Sequence, residues 1–244
     1  MKTPLDYLLH LADNALILGQ RNAEWCGHGP VLEQDIAISN ISLDLIGQAR
    51  SFYQYAAELN GNGATEDTLA YHRNERQFKN CLLVEQPKGD WAYTTLRQFL
   101  FSSYQQVLFQ TLCKHSDERI AAIAEKTLKE INYHVRWSSE WVIRLGDGTE
   151  ESQRRLLHAI DSSWPFTGEL FEPAAYETEA GVDLISLRAP WEQLIDNCFA
   201  EAGMSRPVNV FPHSGGKKGI HSEHLGFILA EMQYLQRSYP GCEW

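Results

Sequence analysis

What most limits the folds open to this chain is the spacing of its apolar residues up to Arg144, which falls into four long helical runs separated by short turns. Leu5, Leu8, Leu9, Ala12, Leu16, Gly19 and Ala23 recur three or four apart until Gly27-His28-Gly29-Pro30 stops them, the period of one helix face. Thr3 and Pro4 with Asp6 make a good start for that run, since threonine caps and a proline at the first helical position lacks only an N–H that has no partner there. The second run, about Val31 to Asn60, is apolar on nearly every side and closes at Gly61-Asn62-Gly63, the mark of a central helix. Asp90 caps a third run to about Cys113, and Asp117 opens a fourth to about Arg144. Helices of this length with short links bury their apolar faces against one another, so the predicted architecture is an all-α four-helix bundle.

A shorter, more polar helix is predicted from Thr65-Glu66-Asp67 through Val84, ended by Gln86-Pro87-Lys88-Gly89. After Gly146-Asp147-Gly148, Thr149 with Glu150 and Glu151 starts another helix to about Ser163. The stretches 165–190 and 203–219 are rich in proline and glycine and read as ordered loops around short helices. Additional C-terminal helices are expected from Pro190-Trp191 to Ala202 and from Ile220 to Ser238, completing a single domain over 1–244. No internal repeat occurs, and no glycine-rich phosphate loop follows a strand, which excludes dinucleotide-binding and P-loop units.

With 244 residues and 43% hydrophobic side chains the chain can bury a sizeable core. Lysine and arginine total 21 against 32 aspartate and glutamate, a net charge of -11, which opposes general attraction to nucleic acid or an anionic membrane. Any anionic ligand therefore needs a local basic patch. The five cysteines, Cys26, Cys81, Cys113, Cys198 and Cys242, are odd in number and never form Cys-x-x-Cys, a pattern of reduced thiols. Asp6, His10 and Asp13 interrupt the apolar N-terminal run, so it fits neither a secretory signal nor a membrane span. A cytoplasmic chain is expected.

Four-helix bundles that hold two irons take a Glu-x-x-His pair from each of two helices and a glutamate from each of the others. His134 stands in such a frame, Lys129-Glu130-Ile131-Asn132-Tyr133-His134, but isoleucine occupies the glutamate position. The second run reads Leu43-Asp44-Leu45-Ile46-Gly47-Gln48, with glycine at the histidine position. Its exceptions, Ala37, Asn40, Asp44, Gly47 and Ser51, share one face, and the first and third runs add mainly the amides Gln20, Gln105 and Gln106. Asp44, Glu130 and His134 supply about half of a di-iron donor set. No metal and no catalytic residue is assigned. The face reads as a vestigial metal site, with Asp44 and His134 expected in a closed buried polar network, since unmatched buried polar groups are costly.

Other clusters have plainer readings. His221-Ser222-Glu223-His224, with Glu231 further along, lacks the His-Glu-x-x-His frame of a zinc hydrolase and reads as a helix-start polar patch or a contact between subunits. Arg73, Arg76 and Lys79 recur every three residues and can hold phosphates, although Glu66, Asp67 and Glu75 favour a solvated, paired face. Lys217-Lys218 beside Gly215-Gly216 raises a similar possibility. Trp137 and Trp141, one turn apart beside His134, read as packing residues, and the run from Glu231 to the terminal Trp244 reads as a docked tail. No Gly-x-Ser-x-Gly elbow orders a nucleophile.

Several segments carry a family resemblance: Ala15-Leu-Ile-Leu-Gly-Gln20, Ala23-Glu-Trp-Cys-Gly-His-Gly-Pro30, Leu43-Asp-Leu-Ile-Gly-Gln-Ala-Arg50, Leu83-Val-Glu-Gln-Pro87, Tyr133-His-Val-Arg-Trp137 and Glu231-Met-Gln-Tyr-Leu-Gln-Arg237. In these the chain resembles the C-subunit branch of the bacterial ring-1,2-phenylacetyl-CoA epoxidases, the multicomponent monooxygenases of phenylacetate degradation, over essentially its whole length. The resemblance implies a ferritin-like bundle that is a structural subunit and does not itself oxygenate. It implies a related catalytic A subunit that carries the di-iron centre and binds phenylacetyl-CoA, pairing with this chain as a heterodimer within a higher oligomer. A small B subunit joins them, and a separate reductase supplies electrons from NADPH. Arg76 and Lys79 are then the candidates for a peripheral contact with the CoA thioester. Two other readings stay open: a divergent metalloenzyme using Asp44, Glu130, His134, Glu231 and His224, and a stand-alone helical CoA-binding scaffold.

Overall fold

The structure is a computed structural model that describes residues 3–208 and 210–242. Among the described residues there are helices and turns and no strand, the all-α class expected. In chain order the α-helices are α1 (Leu5–Ala23), α2 (Leu32–Asn60), α3 (Glu66–Tyr71), α4 (Leu82–Glu85), α5 (Trp91–Leu112), α6 (Glu118–Gly146), α7 (Glu150–Ser163), α8 (Ala175–Glu179), α9 (Leu184–Glu201) and α10 (Glu223–Ser238). Short 3-10 turns punctuate them, among them Glu75–Gln77 and Gly216–Lys218. The caps follow the sequence: Asp90 accepts from Tyr93 N, Asp117 from Arg119 N and Ile120 N, and Thr149 from Ser152 N. The N-cap position of α1 is Pro4 rather than Thr3, and it supplies no side-chain cap bond.

The chain divides into two compact units, one formed by Lys88–Ser214, the other by the segment ending at Pro87 together with the segment starting at Gly215. Of the four long helices, α1 and α2 lie in the second of these units and α5 and α6 in the first.

In the α1–α2 unit, Leu8, Ala12, Ala15 and Ile17 of α1 and Ile38, Ile41, Leu45 and Phe52 of α2 are all fully buried. Gly19 lets the two helices close up, since a Cβ there would stand 3.3 Å from Leu45 Cβ, Ile46 Cγ1 and the Ser42 carbonyl. The other side of α2 is not covered: Leu32, Ile36 and Leu43 are 73%, 52% and 65% exposed. The all-round apolarity of this helix therefore does not mean burial on every side, and an open apolar stripe remains.

The same unit corrects the predicted helix from 65 to 84, which is α3, a 3-10 turn and α4 joined by extended residues. The reason is a buried charge on α1. Asp13, fully buried, accepts on Oδ2 from Lys79 N at 2.7 Å and Arg73 Nη1 at 3.1 Å, and on Oδ1 from Tyr53 Oη at 2.5 Å and Arg73 Nη2. His10 Nδ1 lies 2.7 Å from the Lys79 carbonyl, and Asn14 Oδ1 accepts from Cys81 N at 2.8 Å. The Arg73 guanidinium also sits 4.2 Å from the Phe78 ring. A continuous helix cannot offer Arg73, Lys79 N and Cys81 N to α1 together, so the segment unwinds.

In the Lys88–Ser214 unit, α5 packs on α6, α7 and α9. Trp91 meets Trp137 and Trp141 edge-on at 5.8 and 5.5 Å, the packing role expected of that pair. Trp191 Nε1 donates to the Leu100 carbonyl at 3.0 Å and its ring stacks on Trp164. Gly146 ends α6 against α9's last turn, where a Cβ would lie 2.2 Å from the Ala202 carbonyl. Two boundaries differ from expectation. α9 starts at Leu184 under an Asp183 cap and carries Pro190 inside it, which is tolerated because Pro190 and Ser186, whose carbonyl loses its partner, both face solvent. α10 starts at Glu223, after residues 220–222 have been drawn elsewhere. It docks through Gln233, which donates to the Ala70 and Arg73 carbonyls at 3.0 Å each. The terminal Trp244 of the predicted docked tail lies outside the described residues.

Asp13→Asn leaves Arg73 buried without its counter-charge and is expected to destabilise the chain by about 3 kcal/mol, read as a lower urea midpoint with an unchanged slope.

Candidate functional site

The interrupted metal frame is the first place to look for chemistry. His134 is 1% exposed on α6, and Ile131, one turn earlier, is fully buried. Ser138 Oγ donates to the His134 carbonyl at 2.6 Å, while Glu130 is half-buried. On α2, Asp44 is half-buried and Gly47 is exposed, with no atom within 4 Å of where its Cβ would stand. Asp44 belongs to one compact unit, Glu130 and His134 to the other. The residues present do not fit a di-iron centre: Ile131 puts a branched alkyl group in place of a bridging carboxylate, and Gly47 offers no imidazole. Among the described residues, no three or more His, Cys, Asp or Glu side chains are grouped so as to hold a metal ion. Of the alternative set, Asp44, His224 and Glu231 lie in one unit and Glu130 and His134 in the other, and Glu231 is exposed on α10.

A second polar centre lies wholly within the α1–α2 unit, and it includes a residue the sequence reading passed over. Glu85, fully buried at the end of α4, accepts from Asn80 Nδ2 at 2.8 Å and from Ser222 N at 2.7 Å. His221 completes it, with Nδ1 2.7 Å from Glu85 Oε2 and Nε2 3.0 Å from the Phe78 carbonyl. The Phe78 carbonyl and an ionised Glu85 carboxylate both accept, so this pairing favours the imidazolium, in which both ring nitrogens donate. Burial pulls the His221 pKa down, but the hydrogen bond and charge of Glu85 and the Phe78 carbonyl outweigh it, leaving a net rise above 6.5. Arg21 adds Nη2 bonds to the Glu85 and His224 carbonyls at 3.0 and 3.3 Å. The His221–His224 cluster is accordingly a helix-start polar patch that ties α10 to α4. The signal for Glu85 was available, an acid directly after the apolar run Cys81-Leu82-Leu83-Val84.

The basic residues separate. Arg73 turns inward to Asp13, and Lys79 Nζ pairs with Asp6 at 3.1 Å. Arg76 stays exposed on the rim of a cavity of about 610 Å³ that Lys218 and His221 also line, while Lys217 is 4% exposed.

Comparison with known proteins now bears on these features. A family model described as phenylacetic acid catabolic protein matches residues 1–244. The chain belongs to that family. A curated relative, the C subunit of the 1,2-phenylacetyl-CoA epoxidase of Escherichia coli (strain K12), is 50% identical over 243 residues, covering 98% of each chain. The ferritin-like, all-α class expected from the sequence is that of the phenylacetic acid catabolic family, and the chain takes its place in phenylacetate catabolism. Among the described residues of this family member, no helix is long and apolar enough to cross a membrane.

Two outcomes follow from this geometry. The stability that the His221 imidazolium contributes is fully present below about pH 6.5 and is lost as pH rises through its raised folded value; urea unfolding of the natural chain and His221→Gln at a series of pH values should show a difference that shrinks towards alkaline pH. Ile131→Glu places a carboxylate in a fully buried position with no matching histidine at Gly47. It should destabilise by on the order of 3 kcal/mol and bind no stoichiometric iron pair by elemental analysis.

Proposed function

We propose that this chain is the structural, non-catalytic subunit of a multicomponent di-iron monooxygenase that epoxidises the aromatic ring of phenylacetyl-CoA, pairing with and stabilising a catalytic A subunit. The observation that carries the reading is the double loss at Ile131 and Gly47 in a chain that keeps its long helices and belongs to the phenylacetic acid catabolic family. The 50% identity to the C subunit of the Escherichia coli epoxidase supports it. In this reading the di-iron centre resides in the A subunit, electrons derived from NADPH reach it through a separate reductase, and a small B subunit is the third member of the oxygenase.

The open stripe of α2 supports pairing. Leu32 and Ile36 lie one turn apart and Leu43 two turns further along the same side, past Asn40, and each of the three is more than half exposed, an apolar surface of the kind that marks protein contacts. Gly47 continues the stripe without a side chain, and the space above it is empty, so the backbone of a partner helix can come close. The partner covers this face.

Co-expression with the catalytic homologue tests both parts. The two chains should co-purify as a stable complex, with the iron following the partner. Leu43→Asp should weaken the association at least about tenfold, the loss of one buried apolar anchor, measured by sedimentation. Stoichiometric iron in this chain purified alone, together with ring oxygenation in the absence of any partner, would overturn the structural role. A chain that stays alone in the presence of the homologue would overturn the pairing.

A further inference from the structure

We propose that the cavity of about 610 Å³ between the Glu75–Gln77 and Gly216–Lys218 turns binds the phosphates of a CoA thioester, with Arg76 and Lys218 as the binding cations. The choice of ligand rests on the function proposed above. The site itself rests on geometry within one compact unit, since every residue that lines the cavity comes from the segments ending at Pro87 and starting at Gly215.

Two stretches far apart in sequence are clamped together here. Gly219 takes φ +77°, and a Cβ on it would lie 2.3 Å from the Arg76 carbonyl oxygen. A Cβ on Gly216 would lie 2.2 Å from the Asn80 carbonyl oxygen. Only a turn with glycine at both positions can press this closely on the 76–80 backbone. The turn is closed by Lys218 N and Ile220 N, which both donate to the Gly215 carbonyl at 2.9 and 3.0 Å. His221, bound to Glu85 and Phe78, anchors its far end. The outcome is that Arg76 and Lys218 share a cavity rim.

The chain's other cations near this place are committed elsewhere. Arg73 is paired with Asp13, Lys79 with Asp6, and Lys217 is buried. By contrast, among the described residues neither Arg76 nor Lys218 has an ion-pair or hydrogen-bond partner for its side chain. Both are exposed. Glu75 and Glu223 also line the cavity, and neither is paired with either cation; the Glu75 carboxylate lies over Gly226, with Oε1 3.2 Å from where a Cβ would be. Unpaired cations on an acidic chain are what a phosphate ligand needs: Arg76 offers a planar fork and Lys218 a point charge. A ligand carrying several phosphate groups can engage both at once, which a single small anion does less well.

Isothermal titration of the full chain with coenzyme A, adenosine 3′,5′-bisphosphate, pantetheine and inorganic phosphate at low salt tests the assignment. Coenzyme A and the bisphosphate should bind and pantetheine should not. R76A combined with K218A should weaken coenzyme A at least about tenfold, while K79A leaves it unchanged, with circular dichroism confirming the fold of each variant. No binding of coenzyme A, or binding untouched by the double substitution, overturns the proposal. A loss with K79A in place of K218A overturns the role of Lys218. Inorganic phosphate bound as tightly as coenzyme A means an adventitious ion only. Complex formation with the catalytic homologue, measured on the same variants, reports separately on the structural role, because failure of this site leaves that complex intact.

Discussion

A helix that carries an aspartate into its buried side constrains everything that packs on it, and Asp13 of α1 does this here. Its carboxylate is fully buried, so it must be met by donors that stay in place, and the structure meets it with Arg73, Tyr53 and the Lys79 amide. From that single requirement the rest of the unit follows. Arg73 can reach Asp13 only if the chain after α3 leaves the helical path, which brings Phe78 under the guanidinium and sets the Lys79 and Cys81 backbone against His10 and Asn14. Once residues 78–85 run there, the Phe78 carbonyl and Glu85 carboxylate form the socket for His221. The socket fixes where α10 begins. A polar network of this kind is worth having only when closed, since a half-satisfied one is worse than an apolar core.

The long helices and their starts were legible because they depend on local chemistry. Asp90, Asp117 and Thr149 each accept from an amide two or three residues on, a bond between near neighbours that a sequence displays directly. What was not legible depends on partners distant in the chain. Arg73, Arg76 and Lys79 look like one helical stripe, yet Asp13 and Asp6, sixty or more residues earlier, draw the outer two away and leave Arg76 alone. Likewise α10 starts late because Ser222 N is held by Glu85. Pro190 misled for a different reason: a missing hydrogen bond that faces solvent costs far less than one in a core.

The same logic gives the broken metal frame its meaning. A carboxylate placed among metal ligands is tolerated because the ion compensates its charge; with the ion gone, the same group becomes an uncompensated buried charge. In the proposed non-catalytic role, absence of the metal therefore favours absence of its ligands. Ile131 is fully buried, a site where an unpaired carboxylate would be strongly destabilising, and isoleucine removes that penalty while filling the space. Gly47 differs, since it is exposed and has open space above it. Core packing does not explain a glycine there. The missing side chain leaves the α2 surface open beside Leu43, so in the proposed role the same glycine that offers no imidazole also leaves an approach to the helix backbone.

The electrostatics of the chain decide how a polyanion can use the Arg76–Lys218 rim. A net charge of -11 repels anions at long range, while screening at physiological salt confines each exposed charge to within about 8 Å. The two unpaired cations thus act only on a phosphate already brought close. A free nucleotide meets the repulsion first, and its capture is slow. In the proposed complex, a thioester whose acyl end is held in the catalytic subunit would meet the rim at a high effective concentration, where weak contacts suffice. In the proposed role of a structural subunit, the chain would influence substrate affinity through cations that Asp13 and Asp6 have left unclaimed.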